Sequence, residues 1–130
     1  MKKIKKLVSP GGEKPGRIVN TTPHILRFFG SDGSIFVVEP CGVVISARPV
    51  ETPAGVRHGA ILVRTQFVAD EKNQAALSRL EAENPDGHIV GSIIAAQAFP
   101  GRVLALTPAP GFERVPVAEK LMSATKFTTY

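Results

Sequence analysis

Asp86-Gly87-His88-Ile89-Val90-Gly91-Ser92-Ile93-Ile94-Ala95-Ala96-Gln97-Ala98-Phe99-Pro100-Gly101-Arg102-Val103-Leu104-Ala105-Leu106-Thr107-Pro108 is the longest apolar segment of the chain, and its reading decides the fold. A turn signal, Pro85-Asp86-Gly87, opens it, a β-branched run follows, and Pro100-Gly101 interrupts it before the apolar chain resumes at Val103. The pattern predicts two paired central strands. Ile89, Val90, Ile93 and Ile94 leave few polar positions, so the first of these strands is expected to be covered on both faces, as the middle of a sheet is.

Upstream, residues 17–20 read as a short strand ended by Asn20-Thr21-Thr22-Pro23-His24, where Pro23 removes a donor and fixes its own φ. Residues 25–29 resume as strand, Gly30-Ser31-Asp32-Gly33 is a hairpin-type turn, and residues 34–39 pair back through Ile35, Val37 and Val38. Pro40-Cys41-Gly42 breaks the meander; residues 43–48 are expected as strand, 49–55 as a loop with two prolines, and 56–68 as a further strand around Ile61, Val63 and Phe67. One helix is well signalled, from the N-cap Asp70 through residues 71–83 to a stop at Asn84-Pro85. Its stripe of Ala76, Leu77 and Leu80 docks on a sheet. After Pro108-Ala109-Pro110-Gly111 come an amphipathic stub at Leu121-Met122 and a Thr-rich end expected to add an edge strand.

These elements predict a mainly β (α+β) fold. It is expected as a single small antiparallel or mixed sheet, or a barrel-like domain, with one short helix at about residues 71–83 and extended N- and C-terminal arms. The 130 residues suffice for one core without metal or disulfide support. Ser9-Pro10-Gly11-Gly12 and Pro15-Gly16 mark residues 1–16 as a flexible basic arm, leaving residues 17–130 as a single β-rich domain. Lys2, Lys3, Lys5 and Lys6 supply four of the +5 net charges, so the remainder carries only +1. Such a tail can touch nucleic-acid phosphates through counterion release, or simply solubilise the terminus. The lone cysteine, Cys41, excludes an internal disulfide and fits a reducing compartment. No apolar run has the length of a membrane span, so no membrane partner is expected. With 43% hydrophobic residues and one helix to cover the sheet, a homo-oligomer is expected.

His24, His58, His88 and Cys41 lie far apart without CxxC, HxH or HExxH spacing, so neither metal nor cofactor is expected. Asp86, His88 and Ser92 share a strand face in this reading but lack an orienting pattern such as GxSxG, which assigns them turn and core roles. With no nucleophile–base pair and no paired carboxylates, an enzyme is not expected. Arg27, Arg48, Arg57, Arg64 and Arg102 each fall in or beside a predicted strand. Guanidinium groups so placed suit bidentate binding of phosphate or carboxylate, or else edge protection and surface ion pairs. Aromatic content of 6%, with no tryptophan, disfavours recognition of single strands by stacking.

Asn20-Thr21-Thr22-Pro23-His24, Pro40-Cys41-Gly42 with Ser46-Ala47-Arg48, His88-Ile89-Val90-Gly91-Ser92 with Ala95-Ala96-Gln97-Ala98, and Arg102 followed by Thr107-Pro108 resemble a family of small bacteriophage and bacterial proteins. That family's pattern runs Asn-Leu-Thr-Pro-His, Pro-Ser-Gly with Ala-Arg, Tyr-Ile-Val-Ser, then Arg-Asp-Asp-Leu and Pro. Over Arg17 to Pro108 this chain has Thr21 for Leu, Cys41 for Ser, His88 for Tyr, an inserted Gly91 and Val103 at an acidic position. The resemblance implies phage origin, an accessory role, and residence in the host cytoplasm or the virion. Three expectations follow. The first is binding of a small anionic, nucleotide-like ligand, which would suit sequestration of a host signal, through Thr22, His24, Arg27, Arg48, Ser92 and Arg102. The second is a virion component, a capsid decoration or connector that contacts capsid proteins through its arms. The third is nucleic-acid binding through Lys2, Lys3, Lys5 and Lys6.

Overall fold

The structure, a computed structural model, describes residues 17–116 and 119–130. The basic arm, with Lys2, Lys3, Lys5 and Lys6, lies outside them. The elements run β1 (Ile18–Asn20), β2 (Leu26–Phe29), β3 (Ile35–Val38), β4 (Arg48–Arg57), β5 (Ala60–Val68), α1 (Glu71–Glu83), β6 (His88–Val90), α2 (Ile93–Ala98), β7 (Ala105–Pro108) and β8 (Met122–Thr128). The fold is a small α+β one, mainly β. Among the described residues the strands form three small sheets that do not close into a barrel: β1-β6, β3-β2-β8-β7, and the hairpin β4-β5.

The core lies where β1 and β6 run parallel, Val19 beside Ile89, with α1 and α2 packed over them. Val19, Ile45, Leu77, Leu80, Ile89, Phe99 and Val103 fill it, with Ala95 and Ala96 letting α2 approach closely. A side chain such as Leu77 or Val103, fully buried, contributes about 1.5–3 kcal/mol. Leu77 and Leu80 therefore dock α1 as its sequence predicts, and buried Asn73 joins them on the same face. Asp70 caps the helix by accepting from Asn73 N at 2.8 Å, while Asn73 Oδ1 accepts from Ser46 N at 2.9 Å. The cap thereby tethers the chain entering β4.

The central segment differs from its sequence-based reading. β6 ends at Val90, and Ile93–Ala98 form a second helix rather than a strand, capped by Ser92 Oγ accepting from Ala95 N at 3.0 Å. Alanines dominate its inner face, and Ile93 and Ile94 point outward at 59% and 39% exposure instead of being covered. The chain then returns parallel to β6, with Leu104 bridging Val90. The two segments expected as paired central strands thus belong to different sheets, β6 beside β1 and β7 beside β8, and meet only at this bridge after the helical crossover.

Three further readings change. Residues 43–47 are not strand; Val44 is exposed, and Ile45 is buried with its N–H on the Thr21 carbonyl at 3.2 Å. Residues 49–55, expected as a loop, belong to β4, which pairs antiparallel with β5 from Arg48↔Val68 to Arg57↔Ala60, with one bulge between Pro53 and Gly55. The Thr-rich end, expected at an edge, is β8 in the interior of the four-stranded sheet, parallel to β2 and antiparallel to β7. Among the described residues no helix is long and apolar enough to cross a membrane.

Candidate functional site

Asn20-Thr21-Thr22-Pro23-His24 forms a polar knot where β1 leaves the core, buried at Asn20 and Thr21 and exposed at Pro23 and His24. Asn20 has no exposed surface. Its Nδ2 donates to the carbonyls of His24 at 2.7 Å and Val38 at 3.1 Å, and its Oδ1 accepts from Thr22 N at 2.9 Å and Thr22 Oγ1 at 2.7 Å. An amide offers two donors and two acceptor positions, and all four are used here. Thr21 Oγ1 donates to the Val90 carbonyl at 2.7 Å. Gly91 follows, and a Cβ there would sit 2.9 Å from both Thr21 Oγ1 and Val103 Cγ1. Glycine is required by this close approach.

The six residues expected to bind an anion are held in different places. Thr22 Oγ1 is committed to the Asn20 side chain and the His24 carbonyl, and His24 joins the knot through its backbone. Ser92 Oγ caps α2. Arg102 forms a two-pronged pair with Glu81, Nε to Oε2 at 3.1 Å and Nη2 to Oε1 at 2.8 Å, with Ser78 Oγ at 3.3 Å from Nη2 and the Phe99 ring 5.9 Å away. These bonds hold the Glu81 carboxyl below its usual range and raise the Arg102 guanidinium further. Arg48 lies instead at the other end of α1, where its charge, after the Asn73 hydrogen bonds, helps keep Asp70 ionised. Asp70 and Glu81 are eleven helical positions apart, about 16 Å, so Arg48 and Arg102 attend opposite ends of the helix. Arg27 is exposed on β2 opposite Val37. The knot, the cap and the ion pair fasten the fold.

Among the described residues no three His, Cys, Asp or Glu side chains gather in a way that could hold a metal ion. What projects from the body is the outer half of the β4–β5 ribbon, whose β5 strand also packs against α2. His58 at φ 50° and Gly59 at φ 81° make its two-residue turn, the left-handed pair that matches strand twist. Cross-strand pairing sorts its side chains: Pro49, Glu51, Pro53 and Val56 share one face with Ile61, Val63, Thr65 and Phe67. Arg48, Thr52, Arg57, Arg64 and Gln66 lie on the other. Val56 is 72% and Ile61 81% exposed. Sequence reasoning missed this ribbon because Pro49 and Pro53 read as breakers; the pairing signal was Arg57-His58-Gly59-Ala60 between β-branched runs.

Comparison with known protein families, with curated proteins and with solved structures finds no match.

Proposed function

We propose that the protein is a non-enzymatic assembly component, of the kind a phage particle uses as decoration or connector, and that the β4–β5 ribbon is its docking element. One observation carries this reading: an ordered ribbon of nineteen paired-strand residues presents Val56, Ile61 and Val63 to solvent at its outer half. A two-stranded hairpin is marginal alone, and clustered exposed apolar side chains mark surfaces that another molecule covers. The resemblance of residues 17–108 to small phage proteins supports the setting. The anion-binding reading has less support, since Thr22, Ser92 and Arg102 already spend their polar atoms on the fold.

The test is sedimentation of the protein from cells producing it beside the Ile61→Lys variant. The wild type is expected with particles and the variant in the supernatant, at equal unfolding temperature because Ile61 touches little of the body. A wild type found only in the supernatant, retaining a low-mass anion that Arg48→Ala loses, would overturn the proposal in favour of ligand binding.

A further inference from the structure

The ribbon has two outer edges, and they are unequal. Pro49 and Pro53 share one parity on β4, so the donors their rings delete face away from β5, leaving the outer edge of β4 two donors short. β5 contains neither proline nor glycine from Ala60 to Val68, and among the described residues no further strand pairs with it. The ribbon can therefore extend a sheet through β5 alone. A second edge lies elsewhere: among the described residues β3 ends the four-stranded sheet. There Ile35, Phe36 and Val37 are 57%, 36% and 56% exposed, unprotected by charge or proline within the strand. Asn20 closes this edge beyond Val37 by bonding the Val38 carbonyl and bridging Pro40.

We infer that the β5 edge of one copy adds to the β3 edge of the next, building a head-to-tail assembly of this chain. The inference rests on the assembly reading above and names the partner as a second copy. Charge selects this pairing. The β3 edge is flanked by Asp32 in the preceding turn and Glu39 after the strand, while the ribbon carries Arg57 at its tip and Arg64 in mid-strand. Setting Ile61-Leu62-Val63 against Ile35-Phe36-Val37 brings Arg64 toward one acidic end and Arg57 toward the other, in either strand direction. Arg27, the cation nearest in register, stands across from Val37 and at neither end.

Symmetric alternatives juxtapose like charges. A two-fold β5–β5 pairing centred on the strand sets Arg64 against its own copy, and a two-fold β3–β3 pairing sets the Asp32 end against the Glu39 end. One donor ribbon and one acceptor edge per copy make a heterologous interface, which closes into a ring or continues as a filament.

Light scattering and native mass spectrometry of the full chain at micromolar concentration test this. Wild type is expected as multiples of 13.8 kDa. Ile61→Lys and Ile35→Lys are each expected as monomers with unchanged unfolding temperature, and their equimolar mixture as a two-copy species that grows no further. Arg64→Glu should also give monomers, with assembly restored by adding Asp32→Lys or Glu39→Lys in the same chain. A monomeric wild type, an Ile35→Lys variant that still assembles, a mixture that stays monomeric, or rescue by neither lysine would overturn the inference. A monomer that nevertheless sediments with particles in an Ile61-dependent way would sink self-assembly alone and leave the docking reading standing.

Discussion

Thr21 donates twice to one acceptor: its backbone N–H and its Oγ1 lie 3.0 and 2.7 Å from the carbonyl of Val90, both residues fully buried. This forked bond pins the end of β1 to the end of β6, at the point where Asn20 turns outward to bind β3. A neutral hydrogen bond contributes only about 0.5–1.5 kcal/mol net. The knot therefore acts mainly through the cost of breaking it, and so fixes one register between the core strands and the four-stranded sheet. Asn20→Ala would strip the part-buried His24 and Val38 carbonyls and the Thr22 donors of this partner, a loss expected at about 2–4 kcal/mol by denaturant unfolding. Thr21→Val, which keeps the backbone bond, should cost only about 1 kcal/mol. Equal effects would show that the two side chains do not divide the work in this way.

Asn20→Asp gives the same knot a pH signature. A carboxylate facing the His24 and Val38 carbonyls is repelled and desolvated, so its folded pKa lies above its unfolded one. A raised carboxyl pKa destabilises above the unfolded value near about 4, and the penalty shrinks as protonation restores one donor. The wild type runs the other way: Glu81 is held low by Arg102, so its contribution is present above the ordinary carboxyl range and lost as pH falls through the lowered value. The difference in stability between variant and wild type should narrow on going from pH 7 to pH 4. A constant or widening gap in urea unfolding would argue against burial of that side chain.

Gly91→Ala should destabilise by about 1–3 kcal/mol, since its Cβ would lie 2.9 Å from Thr21 Oγ1 and from Val103 Cγ1 within a packed core. Val103→Ala costs stability alone, yet combined with Gly91→Ala it should recover part of the first loss, giving a coupling of at least about 0.5 kcal/mol. Strict additivity would mean that the backbone, and not Val103, absorbs the added methyl.

How much was legible in the chain follows the reach of each signal. Asp70, the Leu77–Leu80 stripe and Asn84-Pro85 act within one helix, so α1 could be read directly, as could the turn at Gly30–Gly33 between β2 and β3. Ile93 and Ile94 suggest strand locally; helix wins because Ser92 caps it and Ala95 and Ala96 are buried with Phe99 and Leu77 in a core that only the tertiary fold creates. Pro49 and Pro53 break most strands, but a two-stranded ribbon has outward positions that need no donor. The candidate site suffered similarly. Thr22, Ser92 and Arg102 are residue types that bind anions, and their commitments to Asn20, Ala95 and Glu81 arise from contacts that residue type alone does not reveal.

Gly59→Val probes the ribbon as a unit separate from the core. Gly59 holds φ 81° in the two-residue turn, where a β-branched residue is strained, while His58 at φ 50° already carries a side chain in the left-handed region. The ribbon is anchored at its base, where Ser46 N–H binds Asn73 and α2 packs against β5, but its outer half buries little of the body. Straining the turn should therefore open β4–β5 locally and leave the β1–β6 core intact. Hydrogen exchange is expected to show faster amides over residues 53–63 and unchanged amides at Val19, Ile89 and Leu77, with the global unfolding midpoint shifted by less than about 1 kcal/mol. Uniform acceleration across both regions would mean that ribbon and core unfold as one.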